Sequence, residues 1–194
     1  MIQIVNAQIQ ANSLCDSRFS GGAFFGVAYD GGFDDGKIYP VVQNTDGEQY
    51  KVNPDDTYNI QIYHKILGKT YSINKNSTGN RANKVDEKTE VKMVVAGWTN
   101  KLGVSQEDLE TLIASNFPDQ LANSLYASLK LDNLTIVLGG ANMDKSTVFK
   151  EEYKGFEYHV KPEQILFSMR YSINATYKKG CFTLTDCQPT GVLT

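Results

Sequence analysis

The sequence has no apolar run approaching the roughly 20 residues that a membrane-spanning helix needs. Its start, MIQIVNAQIQ, has neither the charged n-region nor the apolar h-region of a secretory signal. We therefore expect a protein without a membrane partner that is made and kept in a cytoplasm. The 194 residues include three cysteines, a small and odd number that favours reduced thiols over a disulfide framework.

An excess of positive charge is also missing. The formal net charge is −3, whereas general binding to nucleic-acid phosphates requires clustered lysine and arginine. The content of 41% hydrophobic and 21% charged residues is typical of a globular protein and argues against disorder. With no internal repeat and no linker rich in proline or serine, we expect a single domain over residues 1–194.

Residue types that carry chemistry are sparse and widely separated. The two histidines, His64 and His159, lie in different predicted strands, and neither has a metal-ligand spacing to a cysteine or carboxylate. Five residues separate Cys181 from Cys187, which is too many for a Cys-x-x-Cys redox or zinc pair, and Cys15 is remote from both. The sequence therefore predicts no catalytic, cofactor-binding or metal-binding residues and no cofactor.

Adjacent carboxylates do not change this expectation. The pairs Asp34-Asp35 and Asp55-Asp56 lie in turn-like sequence, where aspartate is expected for backbone reasons. Glu151 and Glu152 lie in a predicted strand, in which neighbours point to opposite faces and cannot readily share a substrate. A small enzyme stays a minor alternative, because catalytic triads assemble in space rather than in sequence.

Residues 139–146, GGANMDKS, resemble a Walker A phosphate loop because they follow an apolar strand and end in Lys-Ser. The glycine required before the lysine is replaced by Asp144, which would repel the anion that the loop must bind. The next residues, Thr147, Val148 and Phe149, look like a strand rather than the helix that a phosphate loop requires. The pattern argues against nucleotide binding.

The strongest structural signal is an alternation of apolar and polar residues over 165–177. A period of two predicts a β-strand with one buried and one wet face, and this strand would be about twice the usual length. Leu166 is the one apolar residue on the polar side. The expected buried face consists of Ile165, Phe167, Met169, Tyr171, Ile173, Ala175 and Tyr177. Because such a strand outgrows the core of one subunit, the pattern indicates assembly.

The remaining sequence predicts an α+β fold, a mainly antiparallel sheet with one or two helices packed on one face. Ser105 and Asp108 predict the N-terminus of a helix that Pro118 stops or kinks, with a second helical piece continuing over 121–129. The predicted strands cover residues 38–42, 50–52, 57–67, 70–73, 90–98, 134–138, 147–153 and 156–160. A turn at Gly68-Lys69 and a hairpin across Lys154-Gly155 are expected to join the neighbouring strands, and residues 74–83 are expected to form an exposed loop.

The first 36 residues are expected to form a short helix over 2–14 and a glycine-rich arm. The arm, GGAFFGVAYDGGFDDG at 21–36, carries aromatic anchors and is predicted to be a loop or loose hairpin that a neighbouring subunit orders. It lacks the Gly-x-Gly-x-x-Gly spacing of a dinucleotide site. Residues 37–178 are expected to form the core, and 179–194 a C-terminal tail.

The order of these elements resembles that of phage tail terminator (tail completion) proteins of the lambda type. The segments that carry the resemblance are the strand at 90–95, the capped helix from Ser105, the strand at 134–138 and the final strand, ILFSMRYSINATYK. Residues 37–42, KIYPVV, with the glycine turn after them and Tyr50, are similar to the first strands of related tail-completion proteins. The resemblance covers residues 37–178.

The resemblance implies a non-enzymatic virion protein that forms a ring, typically of six subunits, on the head-proximal end of the tail tube. Such a ring ends tube growth and joins the tail to the head and neck, so its partners are itself, the tail tube protein and the head-tail connector. DNA passes through the lumen without specific binding. The alternatives are another head-tail connector, a head-completion protein or a tube-related structural protein.

Overall fold

The computed structural model describes residues 21–32, 36–43, 48–54, 56–73, 84–129 and 131–178. Its strands are β1 (Ala23–Gly32), β2 (Ile38–Gln43), β3 (Gln49–Lys51), β4 (Ile60–Ile73), β5 (Lys84–Trp98), β6 (Asn133–Asn142) and β7 (Gln164–Lys178). Its helices are α1 (Thr99–Leu102), α2 (Gln106–Ser128) and α3 (Lys145–Glu152). The predicted α+β class is confirmed, since these elements form one mostly antiparallel seven-stranded sheet with three helices.

The strands lie in the order β3-β2-β1-β4-β5-β7-β6. Every neighbouring pair is antiparallel except β1 and β4, which run parallel. Strand β1 accompanies β4 only from Gln61 to His64, so the second half of β4 extends beyond the smaller strands β1, β2 and β3.

The predicted long strand is confirmed as β7, and it lies between two neighbours. It has 15 residues, β5 also has 15 and β4 has 14, so these strands are about 50 Å long at 3.3 Å per residue. Strands β5 and β7 pair without a register shift from Lys84↔Lys178 to Trp98↔Gln164. The alternation in β7 therefore places one set of side chains on each face of a central strand.

The first core lies between one face of the sheet and the helices α1 and α2. The Ser105 side chain accepts a hydrogen bond from the backbone N–H of Asp108 and begins α2, as predicted. The helix presents an apolar stripe at every fourth residue: Leu109, Ile113, Phe117, Leu121 and Leu125. From β7, Phe167, Met169, Tyr171 and Ile173 are buried in the same cluster, so the predicted buried face is the one that α2 covers.

Pro118 does not end α2, which continues as one helix to Ser128. The prediction of a separate second helical piece is therefore wrong. A proline inside a helix costs about 3 kcal/mol because it removes a backbone hydrogen bond. Burial of the large side chains on both sides of it, Phe117 and Leu121, offsets this cost at roughly 2 kcal/mol each.

A second core lies on the opposite face of the sheet, beneath α3. The hairpin predicted over 147–160 is wrong, because the Asp144 side chain accepts a hydrogen bond from the N–H of Ser146 and begins a helix. Val148 of α3 packs into a buried cluster with Leu166, Tyr63 and Val94. Leu166, the apolar exception in the alternation of β7, is fully buried because this helix covers it.

The predicted glycine-rich arm also differs from the structure. Residues 23–32 form β1, which pairs with both β2 and β4, so the ordered core begins before residue 37. Within residues 21–36 the glycines lie mainly near the two ends. The aromatic residues between them pack on both faces of the sheet. Phe24 packs against the first core and Phe25 against the second. The predicted helix at 2–14 and the tail at 179–194 lie outside the described residues.

The turn predicted at Gly68-Lys69 is absent, because β4 continues through it to Ile73. A register shift between Ile66 and Gly68 relative to β5 makes Leu67 the extra residue of a bulge, and Gly68 pairs with Glu90 instead of reversing the chain. The loop predicted over 74–83 lies outside the described residues.

We expect Ile173→Ala to lower the free energy of unfolding by about 3 kcal/mol, because the truncation leaves a cavity at a side chain that is 1% exposed. The neighbouring change Ser172→Ala, on the other face of β7, should alter it by less than about 0.5 kcal/mol. Chemical denaturation of both variants measures the difference. Equal stabilities would mean that the two faces of β7 have been assigned incorrectly.

Candidate functional site: the ion-pair cluster and the open face

The Walker-like segment has the strand-to-helix context of a phosphate loop, contrary to the sequence prediction, but its helix terminus is already occupied. Asp144 accepts hydrogen bonds from the Ser146 N–H at 3.0 Å and from the Thr147 hydroxyl at 2.6 Å. These bonds lower the pKa of Asp144 and keep it ionised. A phosphate would therefore meet a carboxylate at this terminus, which agrees with the argument against nucleotide binding.

His64 is a structural histidine within the first core. The Tyr171 hydroxyl lies 3.1 Å from His64 Nδ1, and the imidazole stacks on Phe117. Burial lowers the pKa of His64 to about 4, so the ring is neutral at pH 7 and has a partner. His159 lies in the irregular, exposed segment 157–161 and not in the strand predicted for it. The two histidines are not brought together.

The most concentrated charges lie between α3 and the sheet. Lys92 of β5 places its Nζ 2.6 Å from a Glu151 oxygen and 2.7 Å from a Glu152 oxygen. The other oxygen of Glu152 lies 2.6 Å from Lys65 Nζ and accepts a hydrogen bond from Tyr63 at 3.0 Å. The prediction that Glu151 and Glu152 point to opposite faces is wrong, because they lie in the last turn of a helix and share one lysine.

This cluster extends to the surface and its charges balance. Lys65 Nζ also lies 2.6 Å from Asp30, which in turn lies 3.3 Å from Lys154 Nζ. The whole cluster therefore contains three lysines and three carboxylates: Lys65, Lys92, Lys154, Asp30, Glu151 and Glu152. Burial opposes the charged form of Lys92, but its hydrogen bonds to both glutamates outweigh this and raise its pKa. The arrangement fastens α3 to β4 and β5 and has no surplus charge for a ligand.

Beyond α3, the long strands continue as a four-stranded extension that we call the ribbon. It comprises residues 68–73 of β4, 84–91 of β5, 171–178 of β7 and 133–138 of β6. One face of the ribbon contributes Ile173, Ala175 and Leu134 to the core beneath α2. In the part of the chain that the structure describes, no element covers the opposite face, which we call the open face.

The covered face of the ribbon is fixed by a buried carboxylate. Glu87 of β5 accepts hydrogen bonds from Thr89 at 2.8 Å and from the Tyr177 hydroxyl, and Lys69 Nζ lies 3.6 Å away. Burial and the neighbouring Glu87 raise the pKa of Tyr177, which therefore donates as a neutral phenol. These contacts join β4, β5 and β7 above the apolar core.

The open face is polar and electrically balanced among its described side chains. Short polar residues dominate β4 and β7 here, including Thr70, Ser72 and Ser172. Lys84 Nζ lies 3.1 Å from Asp132, and Lys88 Nζ lies 2.7 Å from Glu90. Counting only the groups on or beside it whose side chains the structure describes, three are basic and three are acidic: Lys84, Lys88, Arg170, Asp86, Glu90 and Asp132. These six described groups form no region of one charge sign.

No helix among the described residues is long and apolar enough to cross a membrane. Within the same residues, no group of three or more histidine, cysteine, aspartate or glutamate side chains is arranged to hold a metal ion. Cys15, Cys181 and Cys187 lie outside the described ranges. No protein-family model matches this chain, and no curated protein is significantly similar to it in sequence.

The sequence reasoning missed the ion-pair cluster, although one signal for it was present. Lys92 interrupts the apolar run VKMVVAGW in a central strand, where a lysine is buried only if it has an acidic partner. The adjacent pair Glu151-Glu152 was the candidate partner. The sequence analysis placed both glutamates in a strand, where only one could face Lys92, and therefore did not predict the ion pairs.

We expect the stability of the protein to depend on pH through His64. Between about pH 4 and pH 6.5 the unfolded chain binds a proton at His64 that the folded chain does not, so the free energy of unfolding falls as pH falls through this window. The loss between about pH 7.5 and pH 4.5 is about 2 to 3 kcal/mol from this group.

Urea denaturation at several pH values, compared with His64→Gln, isolates the contribution, because the variant lacks the titrating ring. His159→Gln removes an exposed histidine and serves as the control that should retain the full pH dependence. A His64 ring that titrates near its unperturbed pKa of about 6.5 in NMR spectra of the native protein would contradict the prediction.

We expect the two adjacent glutamates of α3 to differ strongly in their effect on stability. Glu152→Gln should lower the free energy of unfolding by about 3 kcal/mol, because Glu152 is 1% exposed and its loss removes one ion pair from each of two lysines, leaving three lysines with two carboxylates. Glu151→Gln should cost less than about 1 kcal/mol, because Glu151 is half exposed and contacts one lysine. Similar losses in denaturant unfolding would mean that the cluster does not hold α3.

Proposed function

We propose that this protein is a structural virion component that forms a closed ring on the head-proximal end of a phage tail tube. The ring is a hexamer that ends growth of the tube and presents a surface on which the head-tail connector docks. Its site of action is the tail and neck of the virion, after assembly in the host cytoplasm.

The observation that carries this proposal is the ribbon. The long strands continue past α3 and past the smaller strands, and one of their faces is covered by α2 alone. Strands of 14 or 15 residues are longer than a single small domain needs, since most strands have three to ten or so. A subunit that extends its sheet in this way provides area for contacts with other subunits.

The order of elements supports the same proposal. Strand β5 is followed by the capped helix α2, the strand β6, a variable segment and the final long strand β7. This is the order on which the resemblance to tail terminators rests. The structure adds α3 within the variable segment, where it covers the second core without interrupting the pairing of β5 with β7.

The charge of the open face favours a surface along which DNA can pass. A basic surface would bind phosphates through release of counterions and would retain the DNA. The described charges of the open face are instead balanced, and two of its ion pairs, Lys84–Asp132 and Lys88–Glu90, are made within the subunit. We therefore assign the open face to the lumen of the ring and α2 to the outside.

A structural role also agrees with the way charged side chains are used. Lys65 and Lys92 are held by the carboxylates of Glu152, Glu151 and Asp30, and this network joins the secondary-structure elements to one another. His64, the histidine within the core, is fixed by Tyr171 and Phe117. These groups stabilise the subunit rather than present a reactive atom to solvent.

Electron microscopy and mass measurement of the purified protein test the proposal, alone and mixed with tail tubes assembled in its absence. We expect closed rings with an opening wide enough for duplex DNA, bound at one end of tubes that no longer lengthen. Tubes assembled with an unrelated protein of similar size provide the control. A persistent monomer that neither caps tubes nor limits their length would contradict the proposal.

A further inference from the structure

The ribbon has two edges with which no strand pairs in the described part of the chain. One is the second half of β4, because β1 leaves β4 after His64. The other is the outer side of β6, which is the last strand of the sheet. The Leu134 N–H points away from β7 and is bound by the Tyr126 hydroxyl at 3.0 Å. By the alternation of antiparallel pairing, the backbone groups of Ile136 and Leu138 also face outward.

The two edges have few of the features that normally prevent strands from pairing between molecules. Natural edge strands are short, carry lysine or proline, or are covered. Strand β6 has ten residues, NLTIVLGGAN, with no charge and no proline. Residues 68–73 of β4, GKTYSI, carry one lysine, Lys69, whose Nζ lies 3.6 Å from Glu87 on the covered face rather than along the edge. Among the described residues, half of the ten large apolar side chains that are exposed lie at these two edges: Ile66, Leu67, Tyr71, Tyr126 and Val137.

The two edges are complementary in direction. Strand β4 is antiparallel to β5, β5 is antiparallel to β7, and β7 is antiparallel to β6. It follows that β4 and β6 run in opposite directions on the two sides of one ribbon. When a second copy is placed beside the first in the same orientation, its β4 therefore meets β6 as an antiparallel partner, the more stable of the two pairing modes.

The two edges also lie at the same level along the strands. Thr135 is opposite Asn174, Asn174 is opposite Lys88, and Lys88 is opposite Thr70. The segments at the same level are therefore residues 133–138 of β6 and 66–72 of β4, with Leu67 as the extra residue of the bulge and the Leu134 N–H already bonded to Tyr126. Below this level the geometry changes on both sides: β1 pairs with β4 up to His64, and β6 has a register shift after Leu138, at Gly139 and Gly140.

We propose that residues 133–138 of β6 in one subunit pair with the second half of β4 in the next subunit, so that the subunits share one continuous antiparallel sheet. The inference rests on the proposed ring, and it assigns the surface that closes it. Because each subunit offers one edge of each kind, the contact is head-to-tail, and a closed ring leaves neither edge exposed.

A second copy of this chain fits these edges better than an unrelated partner. A foreign strand could cover one edge, but it would leave the other open on the same ribbon. Repetition of a single contact covers both, matches their direction and level, and keeps every α2 on one side of the shared sheet. All open faces then lie on the other side, as the proposed lumen requires.

Engineered cysteines test the contact. In a protein with Cys15, Cys181 and Cys187 changed to serine, Thr135→Cys is combined with Thr70→Cys, its partner at the same level. All these strand positions are exposed, so folding should be retained. Within one subunit the two thiols are three strand spacings, about 14 Å, apart, whereas a disulfide needs Cα atoms within about 7 Å. Any disulfide between them must therefore join two subunits.

On mild oxidation we expect most of the protein to shift from monomer to a ladder of covalent multimers that ends at the size of the ring. The pair Thr135→Cys with Ser72→Cys should form the disulfide instead if the neighbouring subunits are displaced by two residues along the strands. Thr135→Cys with Tyr71→Cys is the matched control, because neighbouring residues point to opposite faces, and it should remain monomeric on the gel. Ladders of equal strength from Tyr71→Cys would indicate random collision and overturn the assignment.

The outcomes separate the contact from the proposed function. Rings that cap tubes but give no ladder with Thr70→Cys or Ser72→Cys would overturn the strand pairing and leave the proposed function standing. Ladders from protein that does not cap tubes would support the pairing and contradict the function. Protein that stays monomeric in solution and gives no ladder would overturn both.

Discussion

The pairing of β5 with β7 is the interaction on which the rest of the structure depends. Fifteen consecutive residue pairs join these strands without a bulge, and β4 and β6 are attached to their outer sides. The ladder also connects the two cores, because successive residues of β7 such as Leu166 and Phe167 enter opposite ones. A shift of one residue in this register would exchange the two faces of the central strands and expose both cores.

The sheet is divided into two parts by what covers it. Where α2 and α3 both pack on it, the central strands are buried on both faces, and Val94 and Val95 are fully inaccessible. The ion-pair cluster around Lys92 lies where α3 ends, so it marks the limit of the second core. Above that limit the same strands continue with polar residues on one face. The sheet therefore combines a closed, packed half with a half whose open face and edges are covered by no described element.

Local pattern was enough to predict some of this fold. The alternation in β7 predicted both the strand and its buried face, and Ser105 with Asp108 predicted the start of α2. Other features depend on distant partners. The segment TVF at 147–149 has the composition of a strand, yet Asp144 and the apolar surface above Leu166 make it helical. Gly68 has the composition of a turn, yet pairing with β5 carries the chain through it.

The candidate surface illustrates the same limit more sharply. Nothing within NLTIVLGGAN indicates that it is the last strand of the sheet, because edge position is a property of topology. The opposite directions of β4 and β6 likewise follow from the whole strand order and not from either segment. The ion-pair cluster was within reach of sequence reasoning, since Lys92 in an apolar strand requires an acidic partner. Finding that partner required the knowledge that Glu152 is on a helix.

The order of strands along the chain has a consequence for synthesis on the ribosome. Partners in the β5–β7 ladder are 66 residues apart at Trp98 and Gln164 and 94 apart at Lys84 and Lys178. Contacts between such distant residues form late, because a long loop must close before any pairing offsets its entropy. The nascent chain therefore cannot complete its central ladder until translation has reached Lys178. A truncated product would lack the strand that joins β5 to β6, so interrupted synthesis yields no subunit with both edges of the ribbon.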